Sequence, residues 1–395
     1  MIARNETCII LGDMRKIALL TENSREYGRE LLKGVAMFAQ ERRSWVLRLL
    51  TPDDLASRSA LAGFDGVIAR VADAATRRRL AQSRLPVVDA FCQSASPRFI
   101  GVDSDHDAIG TMAAEHFMSR GFSSFAFCGF NGTAFSDARR RAFVRTLGNA
   151  AFSCRVYPVE EPPNDAMNFA ERADLPAHAR RLRAWFASLP PQTAVFCAND
   201  VRAYQLLVIA ADIGVEVPRS AAILGVDNDT LLCSFASPAL SSIDPNAKRI
   251  GYAAARLLHA AMEDPASPKV RPVLRVRPGD LVERASTEFH PVGPEWLSEA
   301  LVYIDRNISR PVSTADIVAI SGLSHTSVEK TFRRTFGESA GRYILRTKMA
   351  EAQRLVDKGG LSGKEIAART GFSSPQYFCR TFRAFFGRSP FSRPD

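Results

Sequence analysis

The chain has 395 residues, 46% hydrophobic and 24% charged, with 52 Lys and Arg against 42 Asp and Glu, a net charge of +10. That length fits two to three domains with real cores. No apolar run approaches the ~18 residues of a membrane span, the opening MIARNETCIILGDMRK lacks a signal-peptide pattern, and the seven scattered cysteines form no C-x-x-C pair. Membrane, secreted and disulfide-framework readings are therefore poor, the cysteines show no metal-ligand spacing, and a cytoplasmic chain is expected.

The apolar run 16–21 (KIALLT) predicts a strand entering the polar loop ENSREYG. Leu31, Val35 and Phe38 then mark one face of a helix. Strand-like runs follow at 45–50, 65–69, 85–88 and 98–102, and a helix from about 106 to 120 carries Ile109, Ala113 and Phe117 in register. The alternation restarts with strand 123–129, helix 137–150, a strand at CRVYPV and helix 178–188. Strand 193–198, a helix through Leu206, Ile209 and Ile213, and strand 221–227 complete it. Such alternation implies parallel sheets with crossover helices, and two successive sets imply two similar lobes.

A last strand is expected around 272–277. Residues 283–294 (ERASTEFHPVGP) are polar, Pro- and Gly-bearing and aperiodic, so they read as a linker between a domain at 1–282 and an all-helical one at 295–395. The charge follows this division unevenly. Residues 291–395 hold 16 basic and 10 acidic residues, while 1–290 hold 36 and 32. An anionic partner is therefore expected at the tail.

The tail carries an internal repeat: STADIVAISGLS (313–324) against SGKEIAARTGFS (362–373). Ser313 with Asp316, and Ser362 with Glu365, predict capping boxes. Gly322 and Gly371 end the short helices, and Leu323 and Phe372 are expected to bury the turns. Val328/Phe332/Phe336 and Phe378/Phe382/Phe386 then form inward stripes, which gives helix-turn-helix twice. His325, Thr326, Ser327, Lys330 and Arg333 face out in the first copy, and Gln376, Tyr377, Arg380 and Arg383 in the second. Such residues suit major-groove base edges. The connecting stretch 342–357 predicts a helix stiff enough to hold the two motifs apart. Residues 297–393 resemble the AraC/XylS DNA-binding domain, through Ile366-Ala367, Gly371-Phe372, Tyr377-Phe378, Arg380, Phe382-Arg383, Gly387 and Ser389-Pro390. The chain departs from that pattern after Pro390, reading FSRPD. The resemblance implies a double-stranded DNA operator as partner, contacted by Thr326, Lys330, Gln376, Tyr377 and Arg380.

Ligands of open α/β sheets bind outside the carboxyl ends of the strands. There the chain places Glu22 to Arg25, Asp103 and Asp105, Asn199 and Asp200, and Asp227 to Asp229, with Arg139 beginning a helix. Each carboxylate or carboxamide alone reads equally well as a helix cap. As a set they suit a polyhydroxylated neutral ligand, because carboxylates accept from vicinal hydroxyls and Arg donates to them in a fork.

The region resembles the LacI/GalR sensor, a two-lobed periplasmic-binding-protein-like α/β domain. The matching segments are CANDVRAYQLL (197–207), ILGVDND (223–229), Arg139-x-x-Ala142-Phe143 and PALSSIDPNAKRIGYAAARLL (238–258), with Ala142 where the family usually has Gly. The family's ligand contacts fall on Arg139, Asn199 and Asp227, with Asp105 a fourth position. Its N-terminal DNA-binding helices and hinge have no counterpart in the 15 residues before the first strand. A sensor of one family on a tail of the other resembles regulators of bacterial sugar operons. The loop with Tyr27 and Arg29, Asp105, Arg139, PPQT (190–193), Asp200 and 225–228 carry that likeness. It implies a D-xylose-responsive activator, with Asp200 added to the ligand set, a homodimer, possible contact with RNA polymerase, and no cofactor.

Alternatives remain open. One is a repressor, or a regulator answering another sugar or a purine, with Phe91, Phe130 and Tyr204 available to line a cleft. The other is an enzyme with a helical interaction domain, but no G-x-S-x-G, P-loop or H-E-x-x-H occurs and the six histidines show no paired spacing.

Overall fold

The computed structural model describes residues 14–51, 53–57, 59–92, 98–130, 132–158, 176–264 and 273–391. The chain divides into two units, Met1–Ser119 with Ser123–Thr287, and Arg120–Phe122 with Glu288–Asp395. The first unit begins with β1 (Arg15–Leu20), α1 (Glu26–Arg42), β2 (Trp45–Leu49), β3 (Gly66–Ala69), α2 (Ala74–Gln82), β4 (Val87–Asp89) and β5 (Ile100–Ser104). A second set follows: α3 (His106–Ser119), β6 (Ser124–Cys128), α4 (Ala134–Asn149), β7 (Cys154–Val156), α5 (Pro176–Ala187), β8 (Thr193–Cys197), α6 (Asp200–Ile213), β9 (Ala221–Val226), α7 (Thr230–Phe235) and β10 (Ser241–Ile243). Then come α8 (Ala247–Glu263), β11 (Leu274–Val276) and β12 (Leu281–Val282).

The strands form two six-stranded sheets, β11-β5-β4-β3-β1-β2 and β12-β10-β9-β8-β6-β7. All neighbours are parallel except β12, which runs antiparallel to β10. In each sheet the order reverses at its first strand, β1 or β6, the switch point beside which such folds open a crevice. The lobes are thus topological duplicates. The chain passes between them after β5, after β10 and after β11. The first two crossings touch where Ser104 Oγ donates to Pro245 O at 3.4 Å.

Period-two alternation builds the core of the first lobe. Ile17 and Leu19 pack on the Leu31/Val35/Phe38 stripe of α1, while Ala18 and Leu20 face Val67 and Leu80 on the other side. Predicted starts shift by two residues at β4 and β5 and by three at α4, where the N-cap residue Thr133 makes no side-chain capping bond. Arg139 accordingly sits in the second turn of α4 rather than at its start.

Residues 284–287 lie in the stretch expected to be an open linker, but they are stitched to the second sheet. Ser286 Oγ donates to Ile223 O at 2.6 Å and accepts from Ser241 N at 2.9 Å, and Arg284 Nη1 donates to Leu240 O at 2.8 Å. The buried groups here are hydroxyls satisfying backbone, so no apolar period announces them.

The second unit is helical: α9 (Glu295–Arg306), α10 (Thr314–Ser321), α11 (His325–Phe336), α12 (Ala340–Lys358), α13 (Gly363–Arg369) and α14 (Pro375–Phe386). It holds two cores. Leu297, Leu301, Ile304, Ile317, Val328 and Phe332 form one, and Met349, Leu355, Ile366, Phe378 and Phe382 the other. The N-terminal half of α12 packs in the first core and its C-terminal half in the second. No described helix is long and apolar enough to cross a membrane.

Candidate functional site

Between the carboxyl ends of the two sheets lies a cavity. The first lobe lines it with Glu22, Arg25, Glu26, Tyr27, Arg70, Phe91 and Asp103, and the second with His106, Phe135, Arg139, Asn199, Asp200, Asp227 and Asp229. It admits the centres of water-sized spheres over about 50 Å³, a few waters' worth at ~10–15 Å³ each, so its occupant is small. Across its mouth Glu26 N donates to Asp229 Oδ2 at 3.3 Å, joining the lobes.

Most lining residues come just after strand ends, while Asp103 lies within β5 and Phe135 and Arg139 on α4. Arg139 is buried on α4. Its guanidinium lies 5.1 Å from the Phe135 ring and Nη1 donates to Ala198 O, while Nε has no partner among the described residues. Asn199 caps α6 by accepting from Arg202 N at 3.0 Å, so the group it can still offer is its amide NH2.

Asp227 has φ +121°, a conformation an L side chain adopts only under strain. Its amide donates to Ile243 O at 3.0 Å. Burial pushes its carboxyl above the usual range, and the Arg139 guanidinium pulls it back. Asp200 is raised by burial too, but its carboxylate is committed inside the lobe. It accepts from Ser242 Oγ at 2.6 Å and from Asp229 N at 2.8 Å, which fixes the loop that carries Asp227.

One expected ligand residue lies elsewhere. Asp105 is not among the lining residues, because its carboxylate accepts from Ala108 N at 3.0 Å and caps α3. Phe91 lines the cavity. Phe130 instead stacks on Arg202 at 4.5 Å, and Tyr204 packs against the core of the second lobe.

Phe135 and Leu232, and two polar lining residues, Arg70 and His106, were not singled out in the sequence. Arg70 follows β3 directly and is sandwiched between the rings of Tyr27 at 4.9 Å and Phe91 at 4.6 Å. His106 opens α3. The strand-end rule that found Arg139 and Asp227 would have found both, had it been applied after every strand. Among the described residues no group of His, Cys, Asp and Glu could hold a metal ion.

In the second unit both capping boxes form. Ser313 N donates to Asp316 Oδ2 at 2.8 Å and Ser362 N to Glu365 Oε2 at 2.8 Å, each answered by the reverse bond from N3. Ser324 and Ser374 cap α11 and α14. Thr326 and Lys330 on α11, and Gln376, Tyr377 and Arg380 on α14, are exposed, while Val328, Phe332, Phe378 and Phe382 are buried. Arg380 lies 5.6 Å from the Tyr377 ring, which limits its rotamers before any partner arrives. Leu323, expected to bury its turn, is 41% exposed, because the turn at Gly322 faces open space. Its counterpart Phe372 packs on Phe378 with ring centroids 5.7 Å apart.

Residues 114–287 match the family model of a periplasmic binding protein-like domain, and residues 317–392 that of a helix-turn-helix domain. The xylose operon regulatory protein of Escherichia coli (strain K12) is 27% identical over 384 residues, 95% of each chain. The HTH-type transcriptional activator AarP of Providencia stuartii is 34% identical over 94 residues, 24% of this chain and 70% of that protein. Among solved structures, the xylose-binding transcription activator xylR aligns with a TM-score of 0.60 and 26% identity, over 96% of this chain and 97% of that one.

Proposed function

Because this chain belongs to the AraC-type helix-turn-helix transcriptional regulators and carries a periplasmic-binding-like sensor, we propose that it activates a sugar-catabolic operon in response to D-xylose. It is a regulator and not an enzyme, as its relatives are. The observation that carries the xylose reading is likeness over nearly the whole chain to a xylose-binding activator. The cavity agrees with it in chemistry. Arg139 Nε and the amide of Asn199 donate, Asp227 accepts, and the Tyr27 and Phe91 rings supply apolar faces for C–H edges. Asp200 acts through the loop it holds, and Asp105 through α3.

Sugar bridging the lobes favours one arrangement of the sensor, and only to the extent that it binds that arrangement better. The chain works as a homodimer in the cytoplasm. Its two tails reach operator half-sites, Thr326, Lys330, Gln376, Tyr377 and Arg380 touch DNA, and the bound tails present a surface to RNA polymerase. A thermal-shift screen of the full chain against pentoses and hexoses tests the ligand. D-xylose is expected to raise Tm the most, with Arg139→Ala abolishing the shift and leaving sugar-independent DNA binding intact. A larger shift with another sugar, or an unchanged response in the variant, overturns the reading.

A further inference from the structure

His106 is 7% exposed, opens α3 at the first crossing between lobes, and lines the cavity. Its Nε2 lies 3.2 Å from Asp103 Oδ2. That carboxylate is itself buried and also takes Arg275 Nη1 at 2.9 Å and the Ser104 amide at 2.8 Å. Two donors already point at that carboxylate, so the hydrogen bond at Nε2 is made with the imidazole proton on Nε2 and the carboxylate accepting. Burial, with the nearby Arg139 charge, favours the neutral ring. Nδ1 is then a bare acceptor, buried, with no partner among the described residues. A buried acceptor left unmade costs about 1–3 kcal/mol, so its presence in a cavity wall calls for a ligand donor.

We infer that His106 Nδ1 reads one hydroxyl of the bound sugar, accepting its hydrogen while Arg139 Nε donates to a sugar oxygen. The inference rests on the sugar reading above and deepens it. The two groups together select the class of ligand atom. A carboxylate cannot donate to Nδ1, an ammonium cannot accept from Arg139, and a hydroxyl does both. Asp103 is a positioning residue, since it sets the tautomer rather than the contact.

The test is calorimetric titration of the full chain, wild type and His106→Phe, with D-xylose and each of its monodeoxy analogues. One analogue is expected to bind wild type about tenfold more weakly than D-xylose, the scale of one hydrogen bond in a buried site. In His106→Phe that gap closes, because D-xylose falls to the level of the analogue. A variant that discriminates among the analogues as wild type does overturns the inference and leaves the sugar reading standing. Wild type that binds no sugar overturns both. Imidazole ¹⁵N resonances decide the matter if the variant fails to fold. An unprotonated Nδ1 that moves on D-xylose addition is expected, and a protonated Nδ1 sinks the assignment.

Discussion

Gly322 and Gly371 occupy the same place in two copies of one motif, with φ +63° in each. Their surroundings differ. A Cβ on Gly322 would meet nothing within 4 Å, whereas one on Gly371 would stand 2.3 Å from Arg310 O and 2.9 Å from Arg310 N. Lys348, buried in the middle of α12, completes the contrast. Its Nζ donates to Arg310 O at 2.9 Å and to Gly371 O at 3.1 Å, which fastens the second turn to the segment before α10. Among the described residues the first turn has no such brace, and Leu323 is 41% exposed. A repeat therefore preserved the local signals of its fold while the two copies diverged in what holds them. The second motif is built into the scaffold, and the first stands on its own caps and core.

The sharpest way to break this comparison is the same substitution at both glycines. Gly371→Ala carries the left-handed penalty and a backbone clash, together about 3 kcal/mol. Hydrogen exchange of the full chain should show faster exchange across α13 and α14. Gly322→Ala has only the conformational penalty, about 1 kcal/mol, confined to α10 and α11. Equal effects at the two sites would mean that the Arg310 brace holds nothing.

Lys348→Met comes next. It removes the bonds to Arg310 O and Gly371 O and takes from Gly371 O its donor, while Arg310 O keeps Val312 N, a loss of about 2 kcal/mol. Exchange should rise at α13 and α14 and stay unchanged at α11. An effect spread evenly over both motifs would show that Lys348 serves α12 and not the turn.

The two exposed faces extend the comparison to DNA. Arg380→Ala, on the braced helix and beside Tyr377, is expected to weaken operator binding by about 2 kcal/mol and to relax preference at one base position. Lys330→Ala is expected to weaken binding evenly across sequences by about 1 kcal/mol and to lower the salt slope by about one. Gel-shift titrations over a salt series and a set of operator variants separate these outcomes. The same loss of base preference from both would mean that the open and braced motifs read DNA alike.

What could be read in advance follows the same line between local and tertiary. Ser313–Asp316, Ser362–Glu365, the two turn glycines and the phenylalanine stripes are all local, and each is where its spacing puts it. Lys348 is legible only as one more cation on a basic helix, because its carbonyl partners come from residues 310 and 371. In the sensor, strand and helix periods locate the strand ends, and Arg139, Asn199 and Asp227 lie at the cavity for that reason. Asp105 shows the limit. A carboxylate after a strand caps the next helix or faces the crevice, and only the turn of the backbone decides which. Arg70 and His106 each follow a strand end and carry that same mark, but the stacking of Arg70 between Tyr27 and Phe91 brings three separate strand ends together and is not legible in the sequence.

The smallest expected effect checks that the divergence is confined to the turns. Ser313→Ala and Ser362→Ala each remove the acceptor for one N3 amide and loosen the bond their acid partner makes to the cap backbone. Both caps are exposed, so water replaces part of what is lost, and each should cost about 1 kcal/mol. Because the two boxes share geometry, with reverse bonds of 3.4 and 3.3 Å, the losses should agree to within a few tenths of a kcal/mol. Exchange at the first turn of α10 and of α13 gives the comparison directly. A clearly larger loss at Ser362 would mean that the brace acts through α13 as a whole, and the asymmetry would then belong to the entire second motif rather than to the residues around Gly371.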